Sequence, residues 1–77
     1  MLATAQKVDF VVRQMNTKRE SLSLASPRTR SAYLSEIILG VVMGQASETA
    51  ISPDDVFQLR VMAEEEITRA FGYGYLG

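Results

Sequence analysis

The sequence predicts an all-α fold, either a small three-helix bundle or a helical hairpin with an extra N-terminal helix, that self-associates. Apolar residues recur at helical spacing in three separate stretches. Two of those stretches are preceded directly by Ser-Pro, a helix-start signal: the hydroxyl accepts from an orphan N–H, and proline loses nothing at the first helical position. The middle stretch is apolar around most of its circumference, more than two neighbouring helices can cover. With 77 residues the chain reads as one domain, residues 1–77. A domain of this size buries only about 60% of the surface its unfolded form exposes, so its stability margin is thin.

The first helix is predicted over residues 4–16. Ala5, Val8, Val12 and Met15 fall at i, i+3, i+7 and i+10, Val11 widens the stripe, and Gln6, Lys7, Asp9, Arg13 and Gln14 take the remaining surface. The alternation of Val8, Phe10 and Val12 also fits a strand, but Val11 breaks it. The helix then leaves Phe10 on the polar side. Residues 17–25 read as a loop or a single helical turn. Thr17-Lys18-Arg19-Glu20 has the form of a capping box, whereas Ser21-Leu22-Ser23-Leu24 fits an extended connection equally well.

The second helix is predicted over 27–45, behind Ser26-Pro27. From Tyr33 to Met43 only Ser35, Glu36 and Gly40 interrupt the apolar run, so it is expected to be the buried, central element. Leu39 and Met43 lie on one flank, Ile37 and Val41 on the other, and Ile38 and Val42 between them. Two neighbours leave part of this surface wet, which makes Ile38, Leu39, Val42 and Met43 the expected core and oligomer-packing positions. Gly40 and Gly44 form a G-x-x-x-G; either they allow a close helix crossing or Gly44 ends the helix.

The third helix is predicted over 53–71. Ser52-Pro53-Asp54-Asp55 places two acids at the positive end of its dipole. Val56, Leu59, Ala63, Ile67, Ala70 and Phe71 share one face, Phe57 and Val61 form a second ridge, and Gly72 suits the position just past the end. Residues 72–77 form a tail rich in glycine and tyrosine, whose Tyr73 and Tyr75 either fold back over the helices or dock on a partner.

Composition narrows the function. There is no cysteine and no histidine, hence no thiolate or imidazole chemistry, and serines 21, 23, 26, 31 and 35 have no readable base. An enzyme is not expected. Glu64-Glu65-Glu66 point about 100° apart on a helix and cannot converge on one cation, so no metal and no cofactor are expected. No run approaches the ~20 apolar residues of a membrane span, and the first residues lack the pattern of a signal peptide, so a cytoplasmic location is expected.

The Ser26-Pro27 start is unusual because Arg28 and Arg30 follow it, at the end of a helix that favours anions. Neither has an acid at i+3 or i+4. Arg30 would pair with Glu65 or Glu66 of an antiparallel third helix, or the exposed arginine pair would contact a partner's carboxylates or phosphates. The expected function is a non-enzymatic helical adaptor or regulator acting through protein–protein contact, as a homo-oligomer and most simply a two-fold dimer. Its expected contact residues are Arg28, Arg30, Phe10, Phe57, Val61, Tyr73 and Tyr75. The alternative is a small nucleic-acid-binding regulator touching phosphates through Arg28 and Arg30, helped by Lys18 and Arg19. The net charge of −1 and the scatter of basic residues weigh against it.

Overall fold

A computed structural model describes residues 4–45 and 52–77. Its elements are α1 (Thr4–Thr17), α2 (Arg19–Ser23), α3 (Pro27–Gln45) and α4 (Pro53–Phe71), with no strand among the described residues. The three predicted helices are therefore present, the first one residue longer than expected. Residues 46–51, read from the sequence as the connection to the last helix, lie outside the described residues.

Both Ser-Pro starts work as caps. The Ser52 hydroxyl accepts from the Asp55 N–H at 3.1 Å, and the Ser26 hydroxyl accepts from the Thr29 N–H at 3.2 Å. Asp54 and Asp55 complement the dipole of α4, whereas the first turn of α3 carries no acid. Ser52→Ala is expected to lower stability by about 1 kcal/mol in urea titration, while Ser52→Asp retains most of it.

The segment between α1 and α3 does form a helical turn, but not through the capping box. Thr17 Oγ1 donates to the Arg13 carbonyl at 2.9 Å, inside α1, and Lys18 stands at the start of α2 without a side-chain cap. A threonine that bonds back into the preceding helix is no longer available to open the next one. The short α2 still buries Leu22, while Leu24 is left 92% exposed.

Each of the three long helices packs against the other two around one core. Arg60 of α4 reaches Ser31 and Ser35 of α3, and Val42 and Pro53 border the same groove, so α3 and α4 run antiparallel. The body measures 36 × 19 × 17 Å. Its core is built from Val8, Val11 and Met15 of α1, Leu34 and Ile38 of α3, and Leu59, Ala63 and Ile67 of α4, closed by Leu22.

α3 is not the buried central element that its composition suggests. Among its described side chains only Leu34 and Ile38 are buried; Ile37, Val41 and Val42 are half-buried, and Leu39 and Met43 are 57% and 66% exposed. Most apolar residues of α1 and α4 lie in one stripe each and are covered, Phe10 and Phe57 being the exceptions. Those of α3 surround the helix, so any orientation leaves some of them in water. A second correction concerns Lys7, which the amphipathic pattern puts on the surface: it is only 9% exposed. Its position faces α3, and a lysine stem can lie along apolar surface while the ammonium keeps an outlet.

After α4, Gly72 takes φ 113°, a conformation that favours glycine, and its N–H caps the helix on the Thr68 carbonyl at 2.9 Å. The chain turns back there, so that Tyr75 and Leu76 pack against the core.

Candidate interaction surface

The outer face of α3 exposes Glu36, Leu39, Gly40, Met43 and Gly44. A Cβ added at Gly40 or Gly44 would meet nothing within 4 Å, so the glycines do not serve a helix crossing within the chain. The other reading of Gly44, as the end of the helix, depends on residues 46–51, which lie outside the described residues. What the glycines do is flatten the floor of an open apolar groove of about 380 Å³ between α1 and α3, walled by Phe10, Ile37 and Val41. Lys7 lines this groove, and its ammonium has no acceptor among the described residues.

A second apolar groove, of about 600 Å³, runs on the other side of α3, between Leu39 and Val42 and the α4 residues Val56 and Phe57. Apolar surface thus extends from Phe10, 45% exposed, across α3 to Phe57, 68% exposed. Val61, predicted beside Phe57, is half-buried and lines a different hollow with Thr68 and Tyr73. Ile38 belongs to the core, while Leu39 and Met43 belong to the surface. Arg60, which the sequence pattern does not single out, closes the rim of the second groove by donating to Ser31 Oγ at 2.9 Å, to Ser35 Oγ and to Glu64 Oε1. Its i, i+4 spacing from Glu64 was the available signal.

The arginine pair at the start of α3 is split. Arg28 is exposed and makes no hydrogen bond or ion pair among the described residues. Arg30 turns inward and donates to three backbone carbonyls: Ala25 at 2.6 Å, Leu22 at 3.1 Å and Tyr75 at 2.5 Å. Its guanidinium also lies 4.4 Å from the centroid of the Tyr75 ring. It does not pair with Glu65 or Glu66. Glu66 is bonded to Arg69 at 2.8 Å, and Glu65 is exposed. Carbonyls of a helix end and a turn offer the same negative partial charge as a carboxylate, already fixed in place.

The two tail tyrosines part company as well. Tyr75 stacks on Phe71 with centroids 4.9 Å apart, and its hydroxyl is buried without a partner among the described residues; Tyr73 is 99% exposed. Arg19 covers the Phe71 ring at 5.2 Å, which leaves Lys18 and Arg28 as the cations of this end without a hydrogen bond or ion pair among the described residues. Among the described residues, no three acidic side chains gather into a metal-binding group and no helix is long and apolar enough to cross a membrane. No known protein family, curated protein or solved structure matches the chain.

Proposed function

We propose that the protein is a non-enzymatic, cytoplasmic adaptor or regulatory module, a three-helix bundle that acts through protein–protein contact and associates with itself. The observation that carries this reading is the apolar surface centred on the outer face of α3, with Leu39, Met43, Phe57 and Phe10 all substantially in water. Full burial of such a side chain is worth about 1.5–3 kcal/mol, and roughly half of that remains to be gained at each of these positions. A two-fold contact counts every residue twice, which brings the sum into the range of the roughly 4–15 kcal/mol that association costs. Nucleic-acid contact has less support, because Arg30 is committed to carbonyls within the chain and only Arg28 of the pair has no hydrogen bond or ion pair among the described residues.

Size-exclusion chromatography with light scattering tests the reading. The mass is expected to rise above the 8.5 kDa of one chain as concentration increases from micromolar to submillimolar. The double variant Leu39→Glu/Phe57→Glu should stay at one chain with unchanged helicity, since both side chains point away from the core. A chain that remains monomeric throughout and retains no protein from its native lysate refutes the proposal.

A further inference from the structure

We infer that the end of the bundle where α1 stops and α3 begins docks on an anionic lipid surface, with Lys18, Arg19 and Arg28 at the headgroups and Leu24 inserted beside them. The inference does not depend on the self-association proposed above.

Cations that are scattered along the chain are gathered by the fold at this end. α1 stops at Thr17, α2 follows, α3 starts at Pro27, and α4 ends beside them at Phe71. The contact of Arg19 with the Phe71 ring, and of Arg30 with the Tyr75 carbonyl, fixes the tail to the same end. Residues 17–30 and 70–77 thus meet, and they contain four cations, Lys18, Arg19, Arg28 and Arg30, against one acid, Glu20. Arg30 is half-buried, but Lys18, Arg19 and Arg28 are exposed. The next cations inward, Arg13 and Arg69, are balanced by Asp9 and Glu66. The formal net charge of −1 does not cancel this pole, because Asp54 and Asp55 stand at the opposite end, in the first turn of α4. Residues 54 and 71 are about 25 Å apart along the helix axis. The Debye length at physiological ionic strength is about 8 Å, so an anionic surface at the basic pole is screened from those acids.

Two apolar side chains at the same end distinguish a lipid surface from other polyanions. Leu24, in the turn between Arg19 and Arg28, is 92% exposed, and Tyr73, just past the end of α4, is 99% exposed. A nucleic-acid backbone would satisfy the cations but give an aliphatic side chain little reason to leave water. An acidic bilayer accepts both: its headgroups attract lysine and arginine, its acyl boundary takes up leucine, and tyrosine settles at headgroup level. Each exposed cation close to such a surface strengthens binding about fivefold. Three of them with one leucine give a reversible attachment rather than a permanent anchor, because stable anchoring needs more buried apolar surface.

Vesicle co-sedimentation tests the inference. The chain is expected to sediment with vesicles of phosphatidylcholine containing phosphatidylserine, to remain in solution with phosphatidylcholine alone, and to be released by salt. Lys18→Glu/Arg28→Glu reverses two exposed cations and should weaken binding by at least about tenfold. Leu24→Ser should weaken it by about fivefold. None of these positions belongs to the core, so helicity and melting should match the wild type. The chain contains no tryptophan, so Leu24→Trp supplies a single reporter, whose emission should shift to the blue on acidic vesicles and not on neutral ones. Absence of binding, or equal binding to acidic and neutral vesicles, overturns the inference. Binding that leaves the Leu24→Trp emission unshifted and is indifferent to Leu24→Ser overturns it as well. Salt-sensitive binding to duplex DNA, with none to vesicles, also overturns it and assigns the basic pole to nucleic acid.

Discussion

Leu34→Ala is expected to cost about 3 kcal/mol, whereas Leu39→Ala, on the same helix, should change the stability of the isolated chain by less than about 1 kcal/mol. The contrast follows from placement: Leu34 is fully buried among the core residues of all three long helices, and Leu39 is 57% exposed. Deleting a buried leucine loses its transfer free energy and leaves a cavity that close-packed neighbours fill only in part. At about 0.05–0.15 kcal/mol per residue, the whole domain holds roughly 4–12 kcal/mol, so Leu34→Ala removes a quarter or more of it. Urea titration at a concentration where the chain is monomeric reads the difference as a shift in midpoint with little change in slope. At high concentration Leu39→Ala should weaken association instead. Equal costs for the two substitutions in the monomer would mean that α3 presents the other face to the core, and the interaction surface described above would be misplaced.

The uneven value of the α3 leucines also explains what the sequence could and could not reveal. α4 was readable from end to end, because Ser52 and Pro53 start it, Gly72 stops it, and its core residues Leu59, Ala63 and Ile67 share one face. α1 was readable as a helix, since Val8, Val11 and Met15 repeat at helical spacing. The orientation of α3 was not readable. When apolar residues surround a helix, the periodic signal cancels, and which side faces inward depends on how α1 and α4 pack. Lys7 was missed for a related reason: residue type puts lysine on the outside, but its place on α1 faces α3, and a four-carbon stem tolerates that.

Arg30 shows a different limit. Its partners are main-chain carbonyls, one of them 45 residues away, and a backbone acceptor leaves no trace in residue identity. The two arginines at the start of α3 therefore stand out in the sequence as a pair, with nothing to distinguish one from the other. Arg28 is the outward one, whereas Arg30 ties together the end of α2, the turn before α3 and the tail.

That tie predicts the second large effect. Arg30→Ala is expected to destabilise the chain by about 2–4 kcal/mol, combining the loss of charge-assisted hydrogen bonds with the loss of the cation–π contact. The carbonyls of Leu22, Ala25 and Tyr75 would lose their guanidinium donor, the first two at 3.1 and 2.6 Å. Tyr75 would lose both its contacts with the guanidinium and keep its stack on Phe71 and its amide hydrogen bond to Gly72, so the turn that returns Tyr75 and Leu76 to the core should open. Thermal unfolding should fall by about 10 °C or more. Hydrogen exchange at the Tyr75 amide, which donates to the Gly72 carbonyl at 3.3 Å, should accelerate before that of α4. Arg30→Lys retains the charge but not the planar fork or the ring stacking, and should recover less than half of the loss. Arg28→Ala, which removes no hydrogen bond or ion pair within the described residues, should stay within about 0.5 kcal/mol of wild type. Equal melting points for Arg28→Ala and Arg30→Ala, with the tail amides still protected, would show that the tail is held by its aromatic packing alone and that the guanidinium contributes nothing to it.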